Sequence, residues 1–587
     1  MERRNRALHR ADYELAATDY LGAVIMRISL SSVVAFALLL ATTIDAQIVI
    51  SNSTIYTAPP GSFPSFGSQL ALAESNGDGA LDLYVVDSQV DTNGRAYVLA
   101  GPSYASAILV NIPPPIWGLG LGFALADLNE DGNSDIVLGS PNTGDGTMNL
   151  AGRVLISYSP TFQSTIELVR PAPSYPGGDS FGSGIAVDDY DLDGKPDLFV
   201  GAPSALVAGF VNAGQVHVYF GSSGYTALPN VTLNAPHLAS TRAWGSVISI
   251  ADFDVDGHQD LLTQSNFTQS DSPRIGFGFF PSMDPVPLVQ FGPPLATVGF
   301  ALGTKTRVVD LDGNGYPDIL ASDPIKSGGG QVLVFNGPSF QNPSFLMPPG
   351  QSSAAGSGYG LSHGDVDRDG TIDIVVGSPY DKSGNLTKNG RVTIFFGPDF
   401  VNTQSVYGQY SQSRFGQGVV VHDFDGDGYG EILVACGGEW GGGSLHLLQH
   451  ESLSLQTANS VSLSAGGTVK FAIQRGKLAA SAPYLMLMSA SGSTPGLQIP
   501  FAGGSVHLPL NFDAATLFGL QFVNSGVFVA FQGVLDTKGE AVPRFVVPGG
   551  VNEPALFGLP LTFAAVLGEA GPYISATTSA KVVTLGP

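Results

Sequence analysis

A nine-residue acidic spacing recurs seven times in this chain, and no other feature narrows the choice of fold so far. Its clearest copy lies in the stretch 181–203, FGSGIAVDDYDLDGKPDLFVGAP. Asp189, Asp191, Asp193 and Asp197 fill loop positions one, three, five and nine, and Gly194 fills position six. Four carboxylates this close repel one another unless something positive sits among them. A hard cation that prefers oxygen ligands, above all Ca²⁺, removes that cost. The glycine permits the sharp turn that brings the side chains inward. The flanks, GIAV and DLFVGAP, are short, apolar and bounded by Gly and Pro. They read as strands, so each loop joins the two arms of a β-hairpin.

The other six loops hold the same positions. They are Glu74, Asn76, Asp78 and Asp82; Asp127, Asn129, Asp131 and Asp135; and Asp252, Asp254, Asp256 and Asp260. Then come Asp310, Asp312, Asn314 and Asp318; Asp365, Asp367, Asp369 and Asp373; and Asp423, Asp425, Asp427 and Glu431. Their starts lie 53, 62, 63, 58, 55 and 58 residues apart. A period of that size marks a propeller or a solenoid. Up to seven Ca²⁺ ions are expected, more weakly held where Asn stands in for Asp, since its amide still offers a carbonyl oxygen.

Composition agrees. Only 13% of residues are charged, while the chain has 76 Gly and 40 Pro, which suits an all-β protein with tight turns. The net charge of −24 is local: the ligand positions of the loops hold 25 of the 49 acidic residues, and the rest nearly balance the 25 Lys and Arg. No basic patch suggests nucleic acid as a partner. The single cysteine, Cys436, permits no intramolecular disulfide and reads as a buried strand residue. Bound metal can take over the stabilising role of a disulfide.

With 587 residues, the chain divides into segments. Residues 1–46 read as an N-terminal extension and signal peptide. Arg27 is followed by the apolar run ISLSSVVAFALLLA, and Met26 is the expected true start. The alternative is an uncleaved anchor, although the run is short for a membrane span. Residues 47–450 hold the repeats. Each opens on an aromatic-glycine pair, as at Phe66-Gly67, Trp117-Gly118, Phe181-Gly182, Trp244-Gly245, Tyr359-Gly360 and Phe415-Gly416. The fifth departs, with Gly299-Phe300-Ala301. A strand, the acidic loop, a second strand that often ends in Gly-Ser/Ala-Pro, and two further strands follow. Four antiparallel strands repeated seven times predict a seven-bladed β-propeller. The outer strand of blade seven is expected from 48–57, pairing with 444–449, because an open ring would leave a bare strand edge; Leu453 to Leu455 is the rival. Residues 456–587 lack acidic loops and alternate like a β-sandwich. The fold class is thus all-β: a seven-bladed β-propeller followed by a C-terminal β-sandwich.

The Phe-Gly opening, the acidic loop and the Gly-Ala-Pro ending together resemble the FG-GAP repeat, found in the propeller of integrin α subunits and in secreted bacterial proteins. The likeness covers about 400 residues. It implies that the loops bind Ca²⁺ on one propeller face, that the N-terminal strand closes the ring, and that the chain works outside the cell or at its surface.

Other chemistry is sparse. No His-Glu-x-x-His motif or phosphate loop occurs. Ser180 lies in a Gly-x-Ser-x-Gly match, but no strand-to-helix elbow surrounds it, so it reads as a loop serine. His363 and His422 read as strand-end residues, Trp117 and Trp244 as core residues at blade openings, and Trp440 as a local packing residue. Asn93-Gly94-Arg95 and Asn389-Gly390-Arg391 read as hairpin turns. Four sequons, at Asn52, Asn230, Asn266 and Asn385, bear on function only in a host that glycosylates. Seven near-identical acid constellations argue for structural calcium over a catalytic carboxylate pair, because an active site occurs once per domain. The expected function is adhesion or ligand binding by a calcium-stabilised, monomeric propeller, with a protein or glycan partner and no catalysis. The ligand face is expected opposite the ion loops, on the varied connections between strands two and three. The alternatives are a propeller-scaffold enzyme acting on polysaccharide or phospholipid, and a structural envelope component.

Overall fold

The computed structural model describes residues 50–586 with interruptions, the longest being 59–64, 89–93, 145–149, 171–177, 236–243, 282–288, 292–301, 475–482, 491–496, 509–526, 549–555 and 569–573. The apolar segment after Met26, Gly299-Phe300-Ala301, Asn93, Asp425, Asp427 and Trp440 lie outside the described residues.

Seven four-stranded antiparallel sheets form. Blade three is representative, with Ile185–Asp188, Asp197–Ala202, Gln215–Tyr219 and Val231–Asn234 side by side in chain order. The innermost strands are Phe66–Ala73, Phe123–Ala126, Ile185–Asp188, Ile248–Ala251, Thr306–Val309, Gly360–Gly364 and Phe415–His422. Each touches the next, and the last touches the first, so the ring is closed. The second strands carry near-continuous apolar runs, such as Asp197–Ala202 (DLFVGA), buried at every position. A strand sandwiched between two neighbouring blades needs both faces apolar. The core is accordingly divided among the seven inter-blade gaps. Phe66, Leu83 and Tyr97 of blade one pack with Leu433 and Leu445 of blade seven, and equivalent clusters fill the other gaps.

The two halves of the repeat motif meet between blades. A side chain on Gly201, from the Gly-Ala-Pro of blade three, would collide with the carbonyl of Gly245, from the opening pair of blade four. Gly245 has φ +88, a conformation that costs glycine little. Trp244, at 1% exposure, then plugs the gap between these blades. The same collision links Gly139 to Gly182 and Gly377 to Gly416.

Blade seven is completed by the first described strand. Ile50–Thr57 pairs antiparallel with Ser444–His450, from Ile50↔His450 to Thr57↔Ser444. Leu453–Leu455 pairs instead with Gly467–Gln474 in the C-terminal sheets. Blade four departs from the pattern. Asp260–Gln269 and Ser272–Pro281 form one long hairpin, with Gln269 opposite Ser272, in place of the long connection between strands two and three.

From Leu453 onward a five-stranded and a six-stranded sheet enclose one core, together with a separate hairpin. Phe471, Phe531, Phe545 and Phe563 are buried together there, the rings of Phe471 and Phe563 being 4.9 Å apart. The sheet thus begins just before the expected start at 456, because Leu453–Leu455 belongs to it.

Candidate metal centres

Each acidic loop leaves its inner strand at the same end, so all emerge on one face of the ring. Four loops draw positions one, three and nine together. Asp189, Asp191 and Asp197 bring ligand atoms within 4.8 Å of one another, as do Asp252, Asp254 and Asp260; Asp310, Asp312 and Asp318; and Asp365, Asp367 and Asp373. Such groups could hold a metal ion. Asp189 Oδ1 is buried and accepts no hydrogen bond from the described residues, an orphaned oxygen that a cation would satisfy. The oxygen-only donors suit a hard divalent ion.

Position five behaves differently. Asp193 Oδ1 accepts from the Lys195 amide at 3.0 Å, Asp256 Oδ1 from His258 at 2.9 Å and Asp369 Oδ1 from Thr371 at 2.9 Å. These residues turn their own loop and stand outside the three-carboxylate groups.

Position nine is the best buried. Asp82, Asp135, Asp197, Asp318 and Asp373 have 0% exposure, and Asp260 and Glu431 have 1%. One oxygen accepts from the amide of position two, as in Val366 N–H to Asp373 Oδ2 at 2.8 Å. The other accepts from the turn after strand three, as in Gly397 N–H to Asp373 Oδ1 at 2.9 Å. This carboxylate therefore latches the loop to the outer half of its blade. Position four takes a left-handed turn, with φ near 60° at Glu130, Leu192, Val255 and Arg368. Gly77 and Gly313 stand there in loops one and five. Those glycines were the available signal for this turn, and sequence reasoning passed over them.

Loops one and two differ. Asn76 Nδ2 donates to Asp82 Oδ2 at 3.2 Å, and Asn129 Nδ2 donates to Asp131 Oδ2 at 3.0 Å. The amide hydrogens supply part of the positive charge that a cation would supply in the other loops. Glu74 is held below the usual carboxylate range by the amides of Asn76, Gly77 and Gly79. Of the seventh set, Asp423 and Glu431 are described, and Glu431 Oε2 accepts from Phe424 N–H at 2.7 Å.

Without a metal, burial first and neighbouring carboxylates second raise Asp260 and Asp373. Burial, with Asp254, Asp256 and Asp252 nearby, pushes Asp260 to about 6. Burial, with Asp367 and Asp365 nearby, pushes Asp373 to about 7. A carboxyl whose folded pKa exceeds its unfolded value stabilises fully below the unfolded value and loses that contribution as pH rises through the folded one. For Asp373 the window runs from 3.8 to about 7. A bound cation reverses the sign by holding the carboxylate ionised. Chelation should therefore lower the melting temperature more at about pH 8 than at about pH 5.5. Equal losses measured by calorimetry at the two pH values would contradict this.

The remaining candidates separate cleanly. Ser180 sits in a left-handed turn, with φ 55°, and its hydroxyl lies 3.1 Å from that of Ser204. No helix follows, so no nucleophile elbow exists there. Trp244 is buried as expected, but Trp117 is 43% exposed. Its backbone is tied to blade two by Thr143 Oγ1 and Ser140 Oγ, both at 2.9 Å. It belongs to the link entering blade two, on the face opposite the acid loops. Cys436 is buried. His363 lies on the inner strand of blade six, and its buried Nδ1 has no partner. His422 ends the inner strand of blade seven, its ring edge-on to Phe424.

Comparison with known proteins agrees with this architecture. Residues 181–219 match the FG-GAP repeat family and 310–376 match the FG-GAP-like repeat family. The chain is 28% identical to the phosphatidylinositol-glycan-specific phospholipase D of Homo sapiens, over 55% of this chain and 43% of that protein. It is 34% identical to the Rattus norvegicus protein of the same name, over 28% and 20%. Integrin alpha-3 of Cricetulus griseus matches at 34%, over 24% of this chain and 14% of its own length. This chain thus spans less than half of the curated relatives it matches. One group of relatives is named for an enzyme, which leans against the expectation of no catalysis. No helix among the described residues is long and apolar enough to cross a membrane. Seven four-stranded blades, three of whose gaps interlock through opening and closing glycines, make this chain a β-propeller that carries FG-GAP repeats at 181–219 and 310–376.

Proposed function

We propose that this chain is a calcium-stabilised propeller that binds a protein or glycan outside the cell or at its surface, through the face opposite the acid loops. The observation that carries this reading is the unequal character of the two faces. One face is occupied by acid loops that gather carboxylates and turn on themselves. The other presents exposed Trp117, Leu150, Phe210 and Tyr410 on the connections between strands and between blades. Aromatic side chains with fixed backbones are efficient recognition elements.

That face is also rigid. Arg391 and Asp381 form an ion pair at 3.0 Å, with side chains only 1% and 2% exposed. Arg391 reaches the Pro349 carbonyl at 2.8 Å and lies over the Tyr407 ring. Arg170 and Asp179 form a second buried pair at 3.5 Å. Buried pairs of this kind fix loop geometry. The test is a glycan array and a screen of extracellular matrix proteins, with Trp117→Ala beside the parent chain. Ligands found should bind the variant at least about tenfold more weakly, the loss typical of a central aromatic contact. If every ligand bound both proteins equally, this face would not be the binding surface.

The phospholipase D relatives favour a second reading, in which the chain acts on phosphatidylinositol glycan or forms the propeller portion of a protein that does. Release of a phosphatidylinositol-glycan-anchored reporter by the purified chain would support it. Ser180 is not offered as its nucleophile.

A further inference from the structure

We infer that the central channel of the propeller is a binding site for a tetrahedral oxyanion, a sulfate or a phosphate free or as a monoester, centred on Lys305 and Arg307. The channel is a cavity of about 520 Å³ bounded by the inner strands of all seven blades. The inner strands place corresponding residues three before each acid loop. Six of these positions line the cavity: Ala71, Ala124, Ser249, Arg307, Ser362 and Val420. Five are small or short and uncharged, and blade five alone supplies a cation. Two residues earlier, Lys305 is a second cation on the same side of the strand, since side chains alternate along it.

No acidic residue lines this cavity among the described residues. Lys305 crosses the channel from blade five to blade one. Its Nζ donates to the Ser68 carbonyl at 3.0 Å and to Gln69 Oε1. Arg307 donates only to the Thr306 carbonyl, at 2.8 Å. Every partner is neutral, and neither residue pairs with a carboxylate among the described residues. Asp188 ends the inner strand of blade three toward the acid loops and is engaged by the Asp189 amide at 2.9 Å.

Two like charges enclosed in one cavity without a counter-ion are costly. Both side chains are half-buried by accessible surface yet lie deep in the molecule, because the exposure they keep faces the channel. Burial pushes the Lys305 ammonium down to about 7, with the Arg307 charge adding to the effect. A dianion between them satisfies both, with a guanidinium fork suited to paired oxygens and an ammonium as point charge. Ser249 and Thr306, whose hydroxyls lie 3.2 Å apart, also line the cavity. This site is independent of the proposed ligand face and of the acid loops.

The test uses the full chain with millimolar calcium present. Isothermal titration with sodium sulfate, methyl phosphate and inositol 1-phosphate, none of which needs the acid loops, should give saturable one-to-one binding for at least one anion. Sulfate and methyl phosphate binding alike indicate a free ion or any small ester; a preference for inositol 1-phosphate indicates a larger phosphomonoester. Arg307→Ser, which restores the kind of residue that blades four and six carry, should weaken binding about tenfold or more. Its melting temperature and calcium response should remain those of a folded propeller. Lys305→Gln provides the second variant if Arg307→Ser does not fold, with the same loss expected. Absence of saturable binding by all three anions would overturn the proposal. So would undiminished binding by a folded variant.

Discussion

Removing calcium should lower the melting temperature of this protein by on the order of 10 °C, and restoring it should recover the loss. Four loops each gather three carboxylates within 4.8 Å. At calcium a hundredfold above the dissociation constant, one ion adds about 2.7 kcal/mol, so four add roughly 11 kcal/mol. The stabilisation reaches across the blade, because the position-nine carboxylate also holds the turn beyond strand three, as Asp373 holds Gly397. Asp191→Ala should remove one ion from the titrated stoichiometry and leave the others, since each loop draws its ligands from its own residues. The idea fails if EDTA leaves the melting curve in place.

Deleting residues 50–57 should have an effect of the same order or greater. The deletion strips the outer strand from blade seven and bares the edge of Ser444–His450. It also removes Tyr56, whose ring stacks 6.2 Å from that of Phe66, and thus loosens the gap between blades seven and one. No other described segment stands ready to replace it, because Leu453–Leu455 is engaged in the C-terminal sheets. The expected outcome is a broad, early melt with a blunted calcium response and a tendency to associate through the bare edge. Native-like melting of the truncated chain would show that the strand is dispensable.

Much of this architecture was legible in the sequence, for a definite reason. A repeat reports the same local solution several times, so Asp189 to Asp197 could be read against six other copies. Gly201 and Gly245 were visible as motif letters, although their mutual collision across a blade boundary was not. The closure by Ile50–Thr57 was legible because its spacing before the first Phe-Gly matched that of other outer strands. Four points were not legible. Trp117 shares its motif position with buried Phe181 and Trp244, yet it is exposed, because local spacing does not report how a link packs. The bond that position five makes to its own loop depends on side-chain rotation, which ligand spacing leaves open. The long hairpin of blade four interrupts the pattern that the other blades share. Lys305 and Arg307 are unremarkable in a strand sequence; their meaning comes from the ring that turns their side of the strand into the wall of a channel.

The closure has a consequence for how the protein is made. Ile50–Thr57 leaves the ribosome long before its partner Ser444–His450 has been synthesised. At about 5–20 residues per second, the interval is about 20 to 80 s. During that time the first strand has no sheet to join, while later blades accumulate beside it with one flank uncovered. The cell therefore handles a nearly complete ring with a gap in it, and a strand made before the first blade is the last to join the ring.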